Sequence, residues 1–189
     1  MGLDMYILRI RKPNLEDKVY TSEEISSMNY SSVSVEDVER ESSMFEQLMP
    51  YTVVRNVLTD YYNMEKMIAD YKLPKNSRIG MYSYDGIEIS GKNDNGERVS
   101  QFIARKEIDE KYTITKSVPH YIWESNEEEY WRKAYELRDW FYEKLGNVEN
   151  CGYYVLDAEL IAEMNKKFDE HVSEEDPTDN EALVYHEWY

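Results

Sequence analysis

Thr52-Val53-Val54-Arg55-Asn56-Val57-Leu58-Thr59-Asp60-Tyr61-Tyr62-Asn63-Met64-Glu65-Lys66-Met67-Ile68-Ala69-Asp70-Tyr71 is the longest periodic run in the chain, and the architecture turns on it. Val54, Val57, Leu58, Tyr61, Met64, Ile68 and Tyr71 recur at three- and four-residue intervals, the spacing of one helix face. Thr52 can cap such a helix, and Pro74 marks its end. Just upstream, Ser34-Val35-Glu36-Asp37 has the form of a helix start. Val38, Phe45, Leu48 and Met49 follow at helical spacing as far as Pro50. Two helices split by Pro50 predict a helical hairpin or a sharply bent pair.

Towards the N-terminus, Leu3 to Arg9 alternates Leu3, Met5 and Ile7 with Asp4 and Tyr6 and predicts a short strand. Thr21-Ser22-Glu23-Glu24 is a capping-box pattern ahead of Ile25 and Met28. Beyond Pro74 the character changes. Ile79 and Met81, Ile87 and Ile89, Val99 to Ala104, and Tyr112 to Val118 read as short strands. Asp85-Gly86 and Asn93-Asp94-Asn95-Gly96 supply the turns. A second helical block follows, with Tyr130, Ala134, Leu137, Phe141 and Leu145 on one stripe and Gly146 as its stop. Tyr153 to Leu156 predicts a strand. Asp157 caps a helix whose apolar face is Leu160, Ile161, Met164 and Phe168, and Val184 to Tyr189 predicts a last strand. The expected class is α+β: a helical hairpin, a small antiparallel sheet and a C-terminal helical block. Residues 1–189 are expected to form one domain, with a β-rich excursion over 75–120.

The composition narrows the function. Hydrophobic residues make up 41% and aromatics 14% of 189 residues, which argues against disorder. No apolar run approaches the roughly 18 residues needed to span a bilayer. No basic start with an apolar core marks a secretory signal, and Cys151 is the sole cysteine. Residence in the cytoplasm is the expectation. The formal net charge is −17 and it is clustered. Phe168 to Tyr189 holds eight acids and no Lys or Arg, and Pro13 to Leu48 holds nine acids against Lys18 and Arg40. Such charge repels nucleic acid and anionic membranes and favours a basic partner; its blander role is solubility.

The chain carries few residue patterns suited to catalysis or metal binding. His120, His171 and His186 lack metal-ligand spacing. His171 fits a helix C-terminus, and His186 among aromatics fits packing. There is no Gly-rich phosphate loop and no nucleophile elbow. Cys151 reads as a structural thiol rather than a nucleophile. Gly91 to Phe102 resembles a calcium loop but lacks its terminal acids. No catalytic residue, cofactor or metal is expected. The 18 tyrosines are the other outlier, suited either to an interface or to a core that uses Tyr in place of Phe.

Two segments carry a resemblance. Met1-Gly2-Leu3-Asp4-Met5-Tyr6 is similar to the opening of a family of small uncharacterised bacteriophage and prophage proteins. Tyr130-Trp131-Arg132-Lys133-Ala134, then Asp139-Trp140-Phe141 and Asn150-Cys151-Gly152-Tyr153-Tyr154, resemble the same family's helix, aromatic pair and Cys-Gly before a strand. The resemblance covers about a quarter of the chain, and Pro13 to Asn126 resembles an insertion or divergent replacement. It implies a phage origin and an accessory or anti-defence role, such as that of anti-CRISPR proteins that imitate the charge of DNA.

Charge and resemblance together predict a phage-encoded acidic inhibitor. Its partner would be a basic host protein or ribonucleoprotein complex, engaged at a nucleic-acid-binding groove of a defence nuclease in the host cytoplasm. Glu124, Glu127, Glu128 and Glu129 form one candidate carboxylate row. Asp169, Glu170, Glu174, Glu175, Asp176 and Asp179 extend it. Two other readings stay open. One is a small-molecule or nucleotide-signal binder using Arg132, Lys133 and Arg138, and the other is an oligomerisation protein, for instance a homodimer, without catalysis.

Overall fold

The computed structural model describes residues 2–40, 45–146, 148–173 and 180–189. Of these, 44% are strand and 31% helical, so the protein is mostly β. The expected helical hairpin with a small sheet does not form. A large mixed seven-stranded sheet and a separate three-stranded sheet take its place.

In chain order the elements are β1 (Asp4–Arg11), β2 (Tyr20–Thr21), α1 (Ser22–Ser27), β3 (Tyr30–Ser34), α2 (Val35–Arg40), a 3-10 helix (Glu46–Tyr51) and β4 (Val53–Tyr62). Then come α3 (Met64–Asp70), β5 (Arg78–Ser83), β6 (Gly86–Lys92), β7 (Arg98–Ala104), α4 (Arg105–Lys111) and β8 (Thr113–Arg132). The chain closes with α5 (Tyr135–Leu145), β9 (Tyr153–Leu156), α6 (Ala158–Phe168) and β10 (Glu181–Trp188).

The long helix expected over Thr52 to Tyr71 is instead β4 followed by α3. Val53-Val54, Thr59 and Tyr61-Tyr62 are β-branched or aromatic and suit a pleated strand. Exposure decides the matter: Val53, Arg55, Val57 and Thr59 are buried or half-buried, and Val54, Asn56, Leu58 and Asp60 between them are exposed. That is a two-residue period, not a helical stripe. Asn63 then starts α3 by accepting the Lys66 N–H on its side chain at 3.1 Å. Pro50 does not end a helix either; it sits inside the 3-10 helix.

Contacts divide the chain into two units. Unit 1 comprises Met1–Val57 and Val118–Tyr189, and unit 2 comprises Leu58–Ser117.

In unit 1 the sheet runs β2-β4-β8-β1-β10-β9, with β3 also pairing β8. β1 and β10 are antiparallel, from Asp4 opposite Trp188 to Arg11 opposite Glu181. Ala182 to Tyr185 are buried without a break, as befits a strand covered on both faces. On one face Met5, Ile7, Leu183 and Tyr185 pack against Leu137, Trp140 and Phe141 of α5 and Ile161 and Met164 of α6. Phe141 stacks on Tyr185 with ring centroids 4.0 Å apart. On the other face Ile10, Ala182, Val184 and Trp123 meet Leu48 of the 3-10 helix. A third cluster joins Tyr20, Ile25, Val53, Val57 and Ile122.

The helix stripe expected from Tyr130 starts five residues later, because Tyr130, Trp131 and Arg132 are the end of β8. Lys133 takes a left-handed φ of 59° and donates its N–H to the Leu3 carbonyl at 2.8 Å, which ends the strand and fixes the corner.

Unit 2 is built on the β5-β6-β7 antiparallel sheet. Ile87, Ile89 and Ile103 pack on Met67 of α3, Ile108 of α4 and Tyr112. Gly86 is required at the first turn: a Cβ there would lie 2.1 Å from the Ile103 carbonyl oxygen. Asn93 organises the second turn, its side-chain oxygen accepting the N–H groups of Asn95 and Glu97. Unit 2 contains ten acids and ten bases, so the entire formal charge of −17 belongs to unit 1.

Candidate binding face

The sheet of unit 1 carries a row of four aromatic rings across four strands. Tyr130 of β8 stands opposite Tyr6 of β1, Tyr6 opposite His186 of β10, and His186 opposite Tyr153 of β9. Ring centroids are 5.1 Å apart for Tyr130 and Tyr6, 6.0 Å for Tyr6 and His186, and 4.3 Å for His186 and Tyr153, the last pair stacked. Cross-strand partners share a face, so register alone assembles the row. The neighbouring register places Arg132, Asp4 and Trp188 side by side. Tyr130 is 40% exposed and Trp188 59% exposed, so this end of the face is open. At the other end Tyr153 lies against Phe45 and Trp123, and the face is closed.

Polar contacts hold the row in place. The Tyr130 hydroxyl donates to Asp4 Oδ1 at 2.7 Å, and that bond chiefly raises its pKa. Burial, then the charges of Asp4 and Glu127, raise the Tyr6 phenol. His186 Nδ1 lies 2.9 Å from the Gly152 carbonyl oxygen, so the neutral ring carries its proton on that nitrogen. Burial lowers the His186 pKa and outweighs the Gly152 bond and the charge of Glu187.

The carboxylate row expected from sequence is divided by the sheet. β8 contains a bulge: Leu8 faces Glu127, Ile7 faces Glu129, and Glu128 is left between them. Glu127 therefore shares the face of the aromatic row, and Glu129 turns to the helix-covered face. Glu124 accepts a forked pair of bonds from Arg11, at 2.8 and 2.6 Å, and the hydrogen bond to Arg11 chiefly lowers its pKa. Glu128 accepts from Arg9 Nε at 2.6 Å, and Glu181 lies 3.7 Å from Arg9 and 4.0 Å from Arg11. Two acids of the expected row, Glu124 and Glu128, together with Glu181, thus share two arginines. Asp169 is the left-handed C-cap of α6 and is exposed. Glu170 accepts the Trp131 indole N–H at 2.8 Å, which ties the end of α6 to the end of β8. Glu174, Glu175, Asp176 and Asp179 lie outside the described residues.

Tyr6, His186 and Tyr153 were absent from the sequence-based site. Their signal was the alternation around Tyr6 and the aromatic ends of two predicted strands, which cannot align without the register.

The basic trio does not assemble into an anion site. Arg138 is committed to Glu187, which is fully buried. Glu187 also accepts the hydroxyls of Tyr142 and Tyr185, both at 2.7 Å. Burial opposes the Arg138 cation, but the bonds and charge of Glu187 raise its pKa overall. Burial and then Glu187 push Tyr142 up to about 12. Arg132 lies 3.8 Å from Asp4. His120 is on β8 opposite Ser34, and His171 follows α6. Among the described residues no three His, Cys, Asp or Glu side chains gather as a metal site. Among them, too, no helix is long and apolar enough to cross a membrane.

The class of protein defined here is a mostly β protein whose charged unit exposes an aromatic sheet face. Comparison with family models, with curated proteins and with solved structures finds no match.

Proposed function

We propose that this is a binding protein rather than an enzyme, and that unit 1 docks on a basic surface of a partner. One observation carries the reading: the whole charge of −17 lies in unit 1, while unit 2 is balanced. Charge segregated in this way steers and selects a partner of opposite sign, whereas acidity serving only solubility has no need to be confined. The resemblance to phage proteins points to the nucleic-acid-binding groove of a host defence nuclease as the target class, with the protein as its inhibitor. The Arg-balanced Glu124 and Glu128 narrow the open carboxylates to groups such as Glu127 and Asp169.

The test is co-precipitation from a bacterial lysate at low and high salt, with mass spectrometry of the retained proteins. Retention of a basic nucleic-acid-processing complex, lost as salt rises, is the expected result. Retention of no basic protein at low salt would return the acidity to a solubility role.

A further inference from the structure

Resting on the reading of unit 1 as a binder of basic partners, we propose that the open end of its aromatic row receives guanidinium and ammonium groups of arginine and lysine side chains.

The face changes character along the strands. Where the 3-10 helix covers it, the sheet presents Ile10, Ala182 and Val184. Where it is open, it presents Tyr6, Tyr130 and Trp188. Cross-strand aromatic pairs stabilise a sheet wherever they occur. Burial alone, however, does not account for rings that remain 40% and 59% exposed at the uncovered end.

The chemistry of this end suits a cation. Ring faces carry the negative lobe of the aromatic quadrupole and attract ammonium and guanidinium groups. Two carboxylates flank the rings: Asp4, which orients Tyr130, and Glu127, whose charge reaches Tyr6. One cation is already there, since the Arg132 Nε is 3.8 Å from Asp4 with its side chain 66% exposed. The chain uses the same contact elsewhere, holding the Arg138 guanidinium 4.7 Å from the Tyr142 ring centroid and 4.6 Å from that of Tyr189. A stacked nucleobase could use such rings, but its phosphates would have to approach a unit charged −17.

The test titrates the full chain with an oligo-arginine peptide at low salt, following the tyrosine ring protons by NMR. Perturbation of Tyr6 and Tyr130 ahead of the other tyrosines is expected. Tyr130→Ala should weaken binding about two- to fivefold, Tyr130→Phe should retain it, and Glu23→Gln in α1 should cost less than Tyr130→Ala. Salt-sensitive binding with the ring shifts spread evenly, or equal losses for Tyr130→Ala and Glu23→Gln, would overturn the aromatic site and leave the charge reading standing. No binding of the peptide by the unaltered chain would overturn both. The ring shifts of the unaltered protein decide between these outcomes even if a variant fails to fold.

Discussion

Glu187 is a carboxylate with no access to water, and it is saturated by Arg138, Tyr142 and Tyr185. Removing one member of a buried pair leaves the other charge uncompensated, at a cost of about 3–5 kcal/mol. Glu187→Ala should lower stability by that order in urea denaturation, and Glu187→Gln by less, because the amide oxygen still accepts one of the two hydroxyls and its NH2 donates to the oxygen of the other. An equal, small loss for both would mean that Arg138 reaches water. His186 gives a pH prediction. Burial holds its folded pKa below the ordinary histidine value, so the unfolded chain takes up the proton first. Its contribution is present above about pH 6.5, the unfolded value, and is lost as pH falls through the lower folded value. His120 is lowered by burial and adds in the same direction. Melting temperature should fall on acidification from neutral pH, and His186→Phe should flatten part of that slope. The aromatic neighbours of His186 announced its packing, but nothing in the sequence marked Glu187. Glu187 is one acid among 39, and what marks it is a position between buried neighbours that only the fold supplies.

Local rules were legible where a side chain and its own backbone settle the matter. The capping box at Thr21 and Glu24 forms, Asp157 caps α6 by accepting the Leu160 N–H, and Asn93 to Gly96 reverses the chain. β1, β9 and β10 occupy their expected places. The helix read from Thr52 to Tyr71 failed because Val57 satisfies both a helical and a strand period, and long-range pairing then decides between them. β8 was legible only at its start, since its polar Glu-rich part owes its strand form to β1 alongside. Two element-level tests follow. Asn63→Ala should remove the cap that divides β4 from α3 and cost about 1 kcal/mol, read by chemical denaturation. Gly86→Ala should disrupt the β5-β6 turn through its clash with the Ile103 backbone, read as lost hydrogen-exchange protection in β5 and β6. Protection unchanged there would refute the close approach.

For the whole molecule, the charge was legible and its meaning was not. Counting residues located the acid-rich stretches, but two facts needed the fold: that unit 2 is balanced, and that Arg9 and Arg11 disarm Glu124 and Glu128. The aromatic row was invisible because its members are separated by up to 180 positions and meet only through strand register. A unit this acidic repels itself, so moderate salt should raise its melting temperature by screening. A melting temperature indifferent to salt would show that the acids are already balanced locally. The most direct measurement is the affinity of the full chain for the basic protein it retains, across about 0.05 to 0.5 M salt. Affinity should fall steeply over that range, with the charge of unit 1 as the cause. An affinity that holds constant across it would contradict the claim that charge draws this protein to its partner.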